Sequence, residues 1–376
     1  MIARIIEEQI LSELKPSVVV CLFGARTTGK TTLLQSLRQK IKGKILLVHG
    51  QDLTVQEALS SQRSNVLARF VSGFDYLFVD EAQYIPNIGQ NLKLLVDTLP
   101  KISTLVTGSA AFDLRNKVGE PLVGRSANFH LYPLAQAELS QIESDLDTRN
   151  NLQDRLLYGS YPQVVMASTD TAKKTQLGRI RDGYLLKDIL DLDNLKDSLF
   201  IFNLLRLIAF QIGHDVSYAE LATSLNSHPK TVRRYLELLE KTFVIFSVSG
   251  FSRNLRKEYT KTPRYYFWDN GIRNTLISNF NAPNLRDDIG QLWENYCVSE
   301  RRKRNAYKNN FVNYFYWRTY DQKEIDSLEE QDGILKGFEM KWGKAKSKAP
   351  LDFLRSYPGS GYKVINKDTY LDFINS

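Results

Sequence analysis

Over the first third of the chain, short strand-like runs alternate with stretches in which apolar residues recur every three or four positions. The runs are VVVCLF (residues 18–23), KILLVH (44–49), FDYLFVDEAQ (74–83), residues 102–107 and residues 128–132. The first, apolar at every position, is the pattern of a strand buried in a parallel sheet, and the others are short enough to be its neighbours. Helical spacing fills the gaps after residue 30, over 54–70 and over 88–99. The alternation from 18 to 132 predicts an α/β domain: a parallel sheet covered by helices, with ligands at the carboxyl ends of its strands. The leading segment MIARIIEEQILSELK has no signal-peptide layout and reads as an amphipathic helix.

Beyond residue 133 the pattern changes twice. Residues 134–212 hold helical signals and few strand signals, and Gly159-Ser160-Tyr161-Pro162 interrupts two of the helices. Lys173, Lys174, Arg179, Arg181 and Lys187 within this region read as a solvated helix face. From 215 the order is helix (SYAELATSLN), turn (SHP), helix entered through Pro229 (KTVRRYLELLEKT), then the strand-like FVIFSVSGF and RYYFWDN. That is a winged helix-turn-helix by layout, with Arg253, Arg256, Lys257 and Lys261 in the wing. Lys230, Arg233 and Arg234, near the start of the second helix, are candidates to meet DNA phosphate. Such folds also pack on proteins, so both partners stay open. The last section offers a helix (GQLWENYCVSERRKR), strands over 312–319, 323–328 and 334–342, and a hairpin turn at Asp332-Gly333.

The chemistry concentrates at the end of the first run. Gly24-Ala25-Arg26-Thr27-Thr28-Gly29-Lys30-Thr31 is GxxxxGK[ST], the phosphate-binding loop, with Thr32 continuing into a helix. Its glycines allow close backbone approach, and its N–H groups with the helix N-terminus cradle phosphate oxygens. Lys30 is expected to reach the β- and γ-phosphates of ATP, and the Thr31 hydroxyl to ligate Mg²⁺. Asp80-Glu81, ending the third run, supplies the other half of such a site. Asp80 would hold Mg²⁺ through its water shell and Glu81 would polarise the attacking water. Thr107 or Ser109 would act as a polar sensor beside the γ-phosphate, although Thr-Gly-Ser is also ordinary turn chemistry. Arg125 could reach phosphate in its own or a neighbouring subunit, or be a surface arginine. Pro162 belongs to a turn that resembles a nucleotide-facing one. Near the C-terminus, Glu339 and Lys341 share one face of a strand, the hairpin can bring Asp326 alongside, and Glu294 lies on the preceding helix. An acid, an E-x-K strand and a helical Glu are the layout of metal-dependent phosphodiesterases, although E-x-K is also common on exposed strands.

Composition adjusts this picture little. The 376 residues are too many for one ordinary core, and 43% hydrophobic with 24% charged is globular. A net charge of +8 permits an anionic partner. The two cysteines and four histidines show no metal-ligand spacing, which fits a reducing compartment, and no run of 18 apolar residues suggests a membrane span.

Taken together, these residues resemble a large prokaryotic family of AAA-type ATPases that carry a winged helix and a C-terminal restriction-endonuclease-like domain. GARTTGKTT resembles the family's GARQxGKTT loop, FVDEAQYIP its LDEIQ-x-IP strand, VTGSAA its TGSS segment and LVGR its LAGR. YGSYPQVV is similar to GGFPEVV, and LLKDILD to a segment ending in RDI. TVRRYLELLEKTFVI and PRYYFWDNGIRN look like the winged-helix core and the segment after it. LWENYCVSE, KEIDSL and FEMKWG resemble the LLEN helix, the EVDF strand and the IEVKxG strand. Ser160 stands where a Gly is usual, and Ser327 where an apolar residue is.

The resemblance implies a P-loop ATPase core over 1–133, a helical lid over 134–212, a winged helix over 213–285 and a restriction-endonuclease-like domain over 286–376. It implies a cytoplasmic ATPase using ATP and Mg²⁺, with DNA or a protein as further partner, no membrane, and an oligomeric state left open. Two other readings remain. One is a nucleic-acid-processing nuclease cutting with Asp326, Glu339 and Lys341; the other is an ATP-bound switch with negligible turnover.

Overall fold

Strand β1 (Val19–Phe23) is buried at all five positions, as a strand flanked on both sides and covered on both faces must be. The computed structural model describes residues 2–108, 122–185, 197–252, 262–319, 321, 323–343 and 348–375. By their contacts these form two units. One comprises the chain up to Pro133 with Lys241–Phe243, and the other comprises the rest from Leu134 onward.

In the first unit β1 joins β2 (Ile45–His49), β3 (Tyr76–Asp80), β4 (Ser103–Gly108) and β5 (Ser126–His130) in one sheet of order β2-β3-β4-β1-β5. All four pairings are parallel, as the alternation of strand and helix predicts. β4 lies between β1 and β3, so the strand leading into the phosphate loop and the strand ending in the acidic pair are not neighbours. Helix α1 (Ile6–Glu13) precedes β1, and α2 (Lys30–Lys40) follows it directly, burying Leu33, Leu34 and Leu37. The single helix expected over 54–70 is two, Leu53–Leu59 and Ser64–Phe70. Gln62 between them has φ +51°, and its N–H donates to the Asn91 side chain at 2.8 Å. A left-handed residue cannot continue a helix, so the apolar spacing survives while the backbone breaks.

The second unit begins with short helices and continues through Ser198–Phe210, Tyr218–Ser224 and Pro229–Lys241. β6 (Ile245–Gly250) and β7 (Arg264–Phe267) then form an antiparallel pair. They do not stand alone. β6 also pairs in parallel with β8 (Asn313–Arg318), which continues into β9 (Glu324–Gln331), β10 (Ile334–Met340) and β11 (Gly361–Ile365). The result is a six-stranded mixed sheet of order β11-β10-β9-β8-β6-β7. Its C-terminal part packs Phe251, Trp317, Ile325, Leu328, Leu335 and Phe353 together. The β9–β10 turn is Asp332-Gly333 with φ of +53° and +78°, the doubly left-handed turn that suits a two-residue hairpin. Among the described residues no helix is long and apolar enough to cross a membrane.

Candidate functional site

The phosphate loop keeps its shape through two glycines that nothing else could replace. A Cβ on Gly24 would lie 2.3 Å from the Leu131 carbonyl oxygen, and Gly29 sits at φ +101°. The chain then turns into α2, so helix N–H groups and loop N–H groups converge as an anion cradle. Thr28 Oγ1 donates to the Ala25 carbonyl at 2.8 Å, closing the loop on itself. The buried Lys30 ammonium rests on the carbonyls of Gly24 and Ala25 at 3.0 and 3.1 Å. It lies over the loop itself, where phosphate oxygens would compete for it.

The acidic pair meets this loop as expected. Thr31 Oγ1 donates to one Asp80 oxygen at 2.7 Å, and Thr107 Oγ1 donates to the other at 2.5 Å. Thr107 in turn accepts from the Glu81 N–H at 3.0 Å. Thr107 therefore spans Asp80 and Glu81 from the carboxyl end of the intervening β4. Ser109 lies outside the described residues. Glu81 adopts φ +53°, and its carboxylate accepts from the Gln83 amide. Gln83 received no role from the sequence, although it follows two positions after the acid.

A hydroxyl and a carboxylate side by side, both hard oxygen donors, fit Mg²⁺ with its preference for few protein ligands and retained water. Thr31 and Asp80 are that pair. Arg125 is not brought to them. Its carbonyl accepts from Val19 N–H at 2.9 Å, which sets it beside the amino end of β1, and its guanidinium pairs with Asp97. The phosphate loop leaves the other end of β1, about 16 Å away at ordinary strand rise. Within its own chain Arg125 is the surface arginine of the two readings.

In the second unit, the Gly159–Pro162 turn is pinned by Asp269, which accepts from Ser160 N–H at 2.6 Å and from Ile272 N–H at 3.1 Å. Burial pushes the Asp269 carboxyl up, against the pull of Lys303 and these N–H groups. Pro162 starts the short helix Pro162–Val165. Lys230, Arg233 and Arg234 are exposed at i, i+3 and i+4 and so share one face. Arg233 pairs with Glu237 at 2.9 Å. Arg253, Arg256, Lys257 and Lys261, like Lys187, lie outside the described residues.

The C-terminal candidates do come together. Asp326 accepts from Met340 N–H at 2.7 Å, and Lys341 Nζ lies 2.7 Å from Glu339 Oε1. Glu339 is 7% exposed and its Oε2 is buried without a hydrogen-bond partner. Burial, then the charge of Glu339, pushes the Asp326 carboxyl up to about 7. Glu294 accepts from the Tyr266 hydroxyl at 2.7 Å. Burial and the Asp326 charge hold Glu294 well above the usual carboxylate range. Tyr266 gave no signal in sequence, because its partner is 28 positions downstream on another element. Among the described residues no three acids, histidines or cysteines gather into a metal cage. The basic run at 301–304 is engaged internally: Arg301 forks onto Glu329 at 2.9 and 3.0 Å, and Lys303 pairs with Glu300 at 2.7 Å.

Known proteins share these features in part. Residues 17–140 match the profile of the AAA domain family. Residues 149–283 match a domain of unknown function, DUF8612, and residues 289–373 another, DUF4143. An uncharacterized protein of Mycobacterium tuberculosis is 29% identical over 332 residues, 86% of this chain and 70% of its own. One of Haemophilus influenzae is 25% identical over 311 residues, 73% of each chain. The Walker-type ATPase of Pyrococcus abyssi matches with a TM-score of 0.51 at 18% identity, over 74% of this chain and 96% of its own. At that identity the likeness is one of fold. The AAA-domain match and this fold together support an AAA-type ATPase.

Proposed function

We propose that the chain binds ATP with Mg²⁺ in the loop 24–32 and hydrolyses it. The observation that carries this is the pair of hydroxyl bonds converging on Asp80, from Thr31 of the loop and Thr107 of β4. It supports a site in which both halves are already in register. Lys30 would exchange its loop carbonyls for the β- and γ-phosphates. Thr31 and Asp80 would hold the Mg²⁺, which when bound neutralises charge developing on the phosphate oxygens. Glu81, oriented by Gln83 and by its own N–H on Thr107, would draw the proton of the attacking water. Release of phosphate from ATP in the presence and absence of Mg²⁺ is the test.

We assign the helices Tyr218–Ser224 and Pro229–Lys241 with the β6–β7 hairpin to a winged helix that contacts duplex DNA. The shared exposed face of Lys230, Arg233 and Arg234 supports this. Duplex retardation is expected to weaken steeply with salt, because phosphate contacts release counterions. Changing all three residues to Ala is expected to reduce the slope of log affinity against log salt by roughly 3 at most. No retardation of duplex by the wild type at low salt would make the segment a protein-contact module.

A second reading is favoured by one observation, the buried Glu339 Oε2 with no partner beside Asp326 and Lys341. An orphaned buried carboxylate oxygen is costly unless something else occupies it, and a divalent cation would suit it. On this reading the restriction-endonuclease-like segment from 286 onward cuts phosphodiesters. Incubation with Mn²⁺ and single- or double-stranded DNA or RNA is expected to show cutting that Asp326→Ala abolishes. Cutting that persists in the variant comes from a contaminant, and no cutting on any substrate leaves an inactive scaffold.

A further inference from the structure

The phosphate loop has one more partner, from a segment with no part in the motif. Arg4 lies just before α1 and is 8% exposed. Its Nη1 donates to the Thr28 carbonyl at 2.7 Å, and its Nη2 donates to the Tyr132 carbonyl at 2.7 Å. A Cβ placed on Gly29 would stand 3.7 Å from Nη1, so the guanidinium lies against the loop.

One of these carbonyls belongs to the cradle and the other to the chain that leaves β5 beside it. Thr28 belongs to the limb that enters α2. Tyr132 follows Leu131, whose carbonyl oxygen closes on Gly24 at the limb leaving β1. A phosphate cradle works only while its N–H groups point inward, and the carbonyls that then turn elsewhere need donors if they are buried. One planar fork supplies both, in a fixed geometry that a lysine ammonium does not reproduce.

Helix α1 holds Arg4 there. Ile6 and Ile10 are buried, and Glu7, itself 4% exposed, ties α1 to α2. Its Oε1 accepts from Ser36 Oγ at 2.6 Å, and its Oε2 pairs with Lys40 Nζ at 3.1 Å.

We propose that Arg4 is a positioning residue for the phosphates of the nucleotide, a strap from the N-terminal segment that keeps the loop in its binding shape. This rests on the ATP-binding reading above. The strap acts on the loop before any phosphate arrives, so its loss weakens nucleotide affinity and leaves the chemical step alone.

The test compares Arg4→Gln, Arg4→Lys and Glu7→Gln in the full chain, reading ATP affinity by calorimetry, KM and kcat by phosphate release, and hydrogen exchange of the loop amides without nucleotide. Arg4→Gln is expected to weaken ATP binding about tenfold or more, the scale of a lost charged hydrogen bond. Its kcat at saturating ATP stays within about twofold, as for an interaction made equally in ground and transition states. Loop amides 24–31 exchange faster in that variant. Arg4→Lys recovers only part of the affinity, and Glu7→Gln, which loosens the helix that holds Arg4, lowers affinity and speeds loop exchange no more than Arg4→Gln does. Wild-type affinity and exchange in both Arg4 variants overturn the proposal. So does a loss in Glu7→Gln that adds in full to that of Arg4→Gln in the double variant, since helix docking would then act on the loop independently of the guanidinium. If the wild type binds no nucleotide while Arg4→Gln still loosens the loop, the ATP reading has failed and the positioning role for nucleotide falls with it.

Discussion

Lys30→Ala is expected to weaken ATP binding by up to about a hundredfold. Lys30 is the motif lysine, and a charged hydrogen bond removed from a desolvated site costs about 3 kcal/mol at the upper end. The substitution also takes a donor from the Gly24 and Ala25 carbonyls, which Lys30 now serves. A thermal melt of the variant therefore belongs beside the calorimetry, to separate a lost ligand contact from a collapsed loop. A folded variant with wild-type affinity would remove the loop from the nucleotide site.

Glu81→Gln is expected to behave differently, keeping ATP bound while hydrolysis slows by about 10²-fold or more, the usual worth of a positioned base. The amide is nearly isosteric. Its carbonyl oxygen can still accept from the Gln83 amide, and the Glu81 backbone N–H keeps its bond to Thr107. What disappears is the negative charge that draws a proton from water. Rapid quench after mixing with ATP should find intact nucleotide on the variant and phosphate on the wild type. Unchanged turnover would move the base elsewhere and leave Asp80 with the metal.

The nucleotide half was readable in sequence because its determinants are local. Two glycines, a lysine and a hydroxyl within eight residues define the loop, and an acidic pair ending an apolar run defines the strand terminus. What escaped depends on pairings distant in the chain. The sequence marks Thr107 as a polar sensor, but its bonds to Asp80 and Glu81 follow from β4 inserting between β1 and β3, an order no local spacing encodes. Arg125 precedes β5, which runs parallel to β1, so it falls at the amino end of the sheet, opposite the loop. The apolar alternation of 245–250 and 264–267 signals a hairpin, but not that β6 would also accept β8 as a neighbour. In the same way Asp326, Glu339 and Lys341 follow from strand alternation and a hairpin turn, whereas Tyr266 reaches Glu294 across the fold. Arg4 looked like one polar position on an amphipathic helix, since nothing in its neighbourhood names the loop it touches.

Steady-state phosphate release from ATP by the purified full chain, with Mg²⁺ and then with a chelator, tests the central claim most directly. Turnover is expected to require Mg²⁺ and to fall sharply in both Lys30→Ala and Glu81→Gln, the first through binding and the second through chemistry. Tight ATP binding with no phosphate release from the wild type would contradict it, and would make the chain a nucleotide-held switch rather than an ATPase.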